Sequence, residues 1–185
     1  EVRRLFPMAR IARLDSDIAS RKKEFNMTLF GFENHDYDIL IGTQMIAKGH
    51  DFKDVELAVS LMADKSLSIP NYKANEDTFD LLTQLIGRAG RFSNNGKAII
   101  QTYMPENEII NLSANQDYEQ FYKFEMHNRK VFQYPPYTFL AIITISGTDS
   151  DELETFCYKV KGYLTAELKN ARVNIYGPSF PYIKK

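Results

Sequence analysis

Two hydrophobic rhythms alternate along this chain. Short apolar runs of strand length occur at residues 10–14, 38–41, 55–62 and 97–102, and between them apolar positions recur three and four apart, as helices require. The first run closes on Asp15-Ser16-Asp17, all helix N-cap types, and predicts a helix over residues 20–32 in which Asp15 and Asp17 serve as caps. His35-Asp36-Tyr37 then turns into Ile39-Leu40-Ile41, whose unbroken apolarity is that of a parallel strand covered on both faces. After the run at 55–62, a polar crossing from Asp64 to Asn75, containing Pro70, leads to a helix with Phe79, Leu82, Leu85, Ile86 and Ala89 on one face. Ser93-Asn94-Asn95-Gly96 is a turn into the strand at 97–102. Strand and helix alternating with short links predict an α/β domain with a parallel sheet over residues 1–104.

The rhythm changes after Tyr103. A helical connector over residues 105–134 is expected as one long helix from Pro105 to about Val131. Its Tyr118, Phe121, Tyr122, Phe124 and Met126 form an aromatic stripe of core character rather than a base-stacking platform. Tyr134-Pro135-Pro136-Tyr137 cannot be helical and marks a domain boundary. Beyond it, a strand at 139–145, a helix at 152–168 capped by Asp149-Ser150-Asp151, and a strand at 173–176 predict the βαβ beginning of a small α+β domain over residues 135–185.

Composition narrows the function classes. The 185 residues hold one full domain and part of a second, with an ordinary 44% hydrophobic and 25% charged content. No apolar run approaches the roughly 20 residues that a membrane-spanning helix needs. A first residue other than Met and a Lys184-Lys185 end are expected of a piece of a longer protein. Cys157 is the sole cysteine, which excludes a disulfide framework and a thiolate zinc cluster and fits a cytosolic setting. The formal net charge of −1 argues against a uniformly basic nucleic-acid binder but leaves room for a local stripe. The cluster of Arg3, Arg4, Arg10, Arg13, Lys22 and Lys23 reads as a solvated face.

The chemistry concentrates in two segments. Gly42-Thr43-Gln44-Met45-Ile46-Ala47-Lys48-Gly49-His50-Asp51-Phe52 follows a buried strand, where an α/β sheet presents amides and side chains to phosphates, and Gly49 frees the backbone there. Gln84-Leu85-Ile86-Gly87-Arg88-Ala89-Gly90-Arg91 ends a helix with two arginines beside glycines, and a guanidinium fork matches phosphate oxygens bidentately. These segments resemble motifs V and VI of the second helicase superfamily, the latter reading Q/H-x-x-G-R-x-G-R. The narrower wording from Gly42 to Phe52, together with Tyr134-Pro135-Pro136-Tyr137, is similar to the PriA family of replication-restart (primosomal) DNA helicases.

That resemblance implies a second RecA-like lobe sharing ATP and Mg²⁺ with a first lobe upstream of Glu1, where zinc-binding cysteines are also expected. It implies that Arg91 and Arg88 contact the phosphates and that Gln84 orients them or bonds the nucleotide. Gly49, Asp51 and Gly87 would line the nucleotide site, with Asp51 accepting a ribose hydroxyl. Gly42, Thr43, Gln44 and Lys48 would hold a DNA phosphate; Lys48 suits either ligand, and His50 either contacts one or caps the loop. The implied activity is 3′-to-5′ unwinding at stalled or branched forks in the bacterial cytoplasm, near the nucleoid. The implied partners are forked DNA, primosome and helicase-loading proteins, and single-stranded-DNA-binding protein, with no membrane.

The sequence itself contains no G-x-x-x-x-G-K-[ST] loop, since Gly96-Lys97 lacks the earlier glycine and the following hydroxyl, and no acidic Mg²⁺-holding segment. Hydrolysis by this chain alone is therefore not expected. His35 and His127 read as structural or exposed. Two alternatives stand beside the motor: a non-catalytic RecA-like module that docks DNA or partners, and another fork-remodelling translocase of the same superfamily.

Overall fold

The computed structural model describes residues 1–15, 22–47, 52, 54–89 and 96–180. In chain order the elements are α1 (Val2–Leu5), β1 (Ile11–Leu14), α2 (Lys22–Glu33), β2 (Ile39–Gly42), a 3₁₀ turn (Gln44–Ala47), β3 (Leu57–Ser60), α3 (Asp64–Leu67), α4 (Ala74–Ile86), β4 (Lys97–Ile100), α5 (Glu108–Ala114), α6 (Tyr118–Val131) and α7 (Ser150–Glu167). They fall into two compact units, Glu1–Phe132 and Gln133–Lys185.

In the first unit the strands pair in parallel, as their helical crossovers require. Among the described residues they form two separate ladders rather than one sheet: β1 with β2, in the register Ile11↔Ile39 to Leu14↔Gly42, and β3 with β4, in the register Leu57↔Lys97 to Ser60↔Ile100. The first ladder is locked where it begins. Arg10 donates from Nε to Asp38 Oδ2 at 3.1 Å and from Nη2 to Oδ1 at 2.7 Å, while its backbone N–H donates to Oδ2 at 2.7 Å. Nη2 also donates to the His35 carbonyl at 2.6 Å, so one guanidinium holds the turn and the strand it feeds. The Arg10 side chain, then its backbone N–H, lowers the Asp38 pKa from 3.8 to about 2.

This fixes the sign of a pH effect. A depressed carboxylate contributes stability in full above its unfolded value and loses it as pH falls through the folded one. The stability gap between the wild type and Asp38→Asn is expected to be constant above about pH 4 and to close between about pH 4 and pH 2. Urea midpoints measured across that range check it.

Apolar faces gather into contiguous clusters. Leu14, Leu29 and Phe52 are buried together, flanked by Phe25, Phe32, Leu40, Ile46 and Val55, with the Phe32 and Phe52 rings edge-on at 5.0 Å. Helix α4 serves the other clusters. Its Leu82 packs with Ala63 and Ile110, and its Phe79 with Ile109 and Phe121. The polar crossing contains the short helix α3, whose Asp64 carboxylate accepts from the Thr102 hydroxyl and, at 2.8 Å, from the Tyr103 N–H. That fastens the crossing to the end of β4.

Two expectations are corrected. The connector is not one helix: Gln116 takes a left-handed φ of 53° and Asp117 starts a new helix by accepting from Gln120 N–H at 3.0 Å. Periodicity alone passes over such a break, because α5 and α6 both place apolar residues against α4. In the second unit α7 is capped as the sequence predicts, with Asp149 Oδ1 accepting from the Asp151 and Glu152 N–H groups at 3.0 and 2.9 Å. The flanking runs at 139–145 and 173–176, however, form no ladder among the described residues, and Phe139, Ile142, Ile143 and Tyr176 are exposed. A strand needs a partner for its N–H and C=O groups, and a local apolar run carries no information about that partner.

Candidate functional site

The site begins where β2 ends. Gly42 is opposite Leu14, and a Cβ there would stand 2.6 Å from the Leu14 carbonyl oxygen and 3.0 Å from Ile46 Cγ2. The glycine therefore lets the chain turn flush against its neighbour strand. Gly42→Ala is expected to cost about 1–3 kcal/mol through overpacking against backbone, read as a lowered urea midpoint with an unchanged slope. Thr43 and Gln44 follow, both exposed, and the Thr43 carbonyl accepts from the Ile46 N–H at 3.2 Å. Ile46 drops back into the cluster of Leu14, Leu29 and Phe52. Lys48, Gly49, His50 and Asp51 lie outside the described residues. The chain on either side of them, at Ile46 and Phe52, is anchored in the same apolar cluster.

Helix α4 carries the second segment. Glu76 and Asp77 sit in its first turn, where carboxylates complement the helix dipole. The helix ends at Ile86, so Ala89, which the periodicity places on its apolar face, lies past its last turn. Gly87 caps it with φ −63° and ψ −10°, its N–H donating to the Thr83 carbonyl at 2.9 Å. Arg88 and Ala89 continue as a tighter turn, donating to the Leu85 and Ile86 carbonyls at 3.2 and 3.1 Å. Gln84 is exposed on the last helical turn, Arg88 is half-buried just past it, and Arg91 lies outside the described residues. Gly87 makes no use of left-handed freedom. A Cβ there would stand 3.2 Å from the Thr83 carbonyl oxygen, a tight contact with the turn it caps.

Tertiary packing brings the two segments together, because α4 rests against the Gln44–Ala47 turn. Gln84 stands on the last turn of that helix, and Gly87 and Arg88 follow it.

Other sequence-marked residues have structural uses. The basic cluster is partly consumed: Arg10 binds Asp38, and Arg13 Nη2 lies 2.9 Å from Asp15 Oδ2. Asp15 thus has an arginine partner, and Asp17 falls outside the described residues. His35, at φ 59°, is exposed with Nε2 3.3 Å from Asp54 Oδ2, and His127 is exposed on α6. Among the described residues no group of His, Cys, Asp and Glu is arranged to hold a metal ion, and no helix is long and apolar enough to cross a membrane. Sequence reasoning missed an ion network joining Glu76 to Arg129. The Glu125/Arg129 spacing of one helical turn was a visible signal, but the partner on α4 was not.

Comparison with known proteins adds a family frame. Residues 3–93 match the helicase conserved C-terminal domain. The chain is 44% identical over 179 residues, 97% of its length, to the replication restart protein PriA of Bacillus subtilis, of which it covers 22%. It is 44% identical over 150 residues to PriA of Chlamydia trachomatis, matching 81% of this chain and 20% of that protein. With PriA of Borreliella burgdorferi the identity is 35% over 189 residues, all of this chain and 28% of the relative. The chain thus spans between a fifth and just over a quarter of the length of these relatives.

Proposed function

This chain belongs to the PriA family of replication restart proteins and carries its RecA-like helicase C-terminal domain, and from that premise we propose that it is the second motor lobe of an ATP-dependent DNA helicase. The whole protein would translocate 3′ to 5′, recognise stalled or branched forks and promote primosome assembly. It would work in the bacterial cytoplasm at the nucleoid, with helicase-loading proteins and single-stranded-DNA-binding protein as partners. The supporting observation is the packing of α4, which carries Gln84 and leads into Gly87 and Arg88, against the turn that carries Gln44.

In this reading Arg88 and Arg91 present guanidinium charge to the nucleotide phosphates, and Gln84 orients them or bonds the nucleotide. Gly87 allows the tight exit that sets Arg88. Gly49 and Asp51 line the nucleotide side, Asp51 accepting a ribose hydroxyl. Gly42, Thr43, Gln44 and Lys48 offer amides, hydroxyl and ammonium to a DNA phosphate. ATP with Mg²⁺, held chiefly by the first lobe, supplies the phosphoryl transfer when bound. Zinc belongs to the upstream region.

The test is hydrolysis by the full-length protein with and without forked DNA, beside residues 1–185 alone. Stimulated hydrolysis is expected for the full-length protein and none above background for the isolated chain. A full-length protein that binds forks without stimulated hydrolysis would make this lobe a docking module instead.

A further inference from the structure

Helix α4 is gripped at its first turn, the end remote from Gln84 and Arg88. Arg129 on α6 donates from Nη2 to Glu76 Oε2 at 2.7 Å and from Nε to Glu125 Oε1 at 2.8 Å. Asn75 Nδ2 donates to the other Glu125 oxygen at 3.1 Å, and the Arg129 guanidinium lies 5.4 Å from the centroid of the Tyr72 ring. The Arg129 and Glu125 side chains are 13% and 8% exposed, that of Glu76 41%. Close by, the Phe79 and Phe121 rings stack at 4.0 Å with 8° between their planes. Residues just before and within the first turns of α4 are thereby fastened to α6.

We propose that Glu76, Glu125 and Arg129 are positioning residues for the motor reaction: their network sets the axis of α4 and so where Gln84 and Arg88 stand against the Gln44–Ala47 turn. This rests on the motor reading given above. A guanidinium that donates to carboxylates on two helices fixes the angle between them as well as the distance, which a point charge does not. The Glu76 arm is partly exposed and adds little stability by itself, and fixing geometry is an attested use of such an ion pair. At a rise of 1.5 Å per residue, Glu76 and Ile86 are roughly 15 Å apart along the axis, and a tilt of about 5° at the first turn moves the far end by about 1.3 Å. Misplacement of about 1 Å can cost a reaction about a hundredfold.

The test uses DNA-stimulated ATP hydrolysis by the full-length protein for Glu76→Gln, Arg129→Lys, Arg88→Ala and the Glu76→Gln/Arg88→Ala double variant. Glu76→Gln keeps the side chain's size and is expected to lower kcat about tenfold. Its KM for ATP and its fork affinity are expected to stay within about twofold, and its thermal midpoint within a few degrees. Arg129→Lys keeps the charge without the fork and is expected to fall in the same direction by less. The double variant is expected to lose clearly less than the product of the two single losses, because the network acts largely through that arginine. Wild-type kcat in Glu76→Gln, a loss that tracks the thermal midpoint, or multiplicative losses in the double variant would overturn the positioning role alone. Wild-type rates in Arg88→Ala would overturn the phosphate-contact reading and this proposal with it.

Discussion

Replacing Arg91 or Arg88 by alanine in the full-length protein is expected to lower DNA-stimulated ATP hydrolysis by about 10³-fold, with fork binding retained. The magnitude is that of an arginine which spreads charge developing on a transferred phosphoryl group. Arg88 emerges from a turn whose N–H groups bond back to the Leu85 and Ile86 carbonyls, so its backbone is held before any ligand arrives. The backbone that carries the guanidinium therefore needs no reordering at the moment of reaction. Lysine at either position keeps the charge and is expected to recover only a small part of the rate, since the two-pronged geometry is lost. Steady-state hydrolysis at saturating fork DNA, with binding measured separately, checks both. Unchanged kcat in both alanine variants would remove the arginines from the chemistry.

The second large effect is on stability. Leu82→Ala is expected to destabilise the first unit by about 3 kcal/mol, the usual cost of emptying a fully enclosed leucine site. Leu82 is 1% exposed and meets Ala63 and Ile110, with Leu67 and Ile100 packed alongside. It therefore joins α4 to α3, β4 and α5 at one point. Against a total stability of roughly 5–15 kcal/mol for a domain, such a loss is a substantial fraction. Denaturant unfolding of the wild type and the variant, with equal slopes, gives the value. The same variant links packing to function, because α4 carries Gln84 and ends beside Arg88. A hydrolysis rate that falls under conditions where the variant is still fully folded would show that this anchor holds the site as well as the fold.

Much of the first unit was legible as pattern. The run Ile39-Leu40-Ile41 is a parallel strand beside β1, and the stripe containing Phe79 and Leu82 is a buried helix face, because strand and helix periods are local properties. The aromatic stripe was legible in part: Phe121 is buried against Phe79, while Tyr118 and Tyr122 on the same helix are exposed. The runs at 139–145 and 173–176 form no ladder among the described residues, since strand formation is settled by a partner elsewhere.

What the sequence by itself determined is the family, through residue identities at fixed spacing from Gly42 to Phe52 and from Gln84 to Arg91. Only the tertiary structure decided that α4 lies against the Gln44–Ala47 turn, that Gly42 is needed because the Leu14 carbonyl oxygen occupies the space of its Cβ, and that Arg129 reaches back 53 positions to Glu76. The physical reason is one of range. Propensity, capping and periodicity act over a few residues, whereas close approach and ion pairing depend on where the folded chain returns to itself.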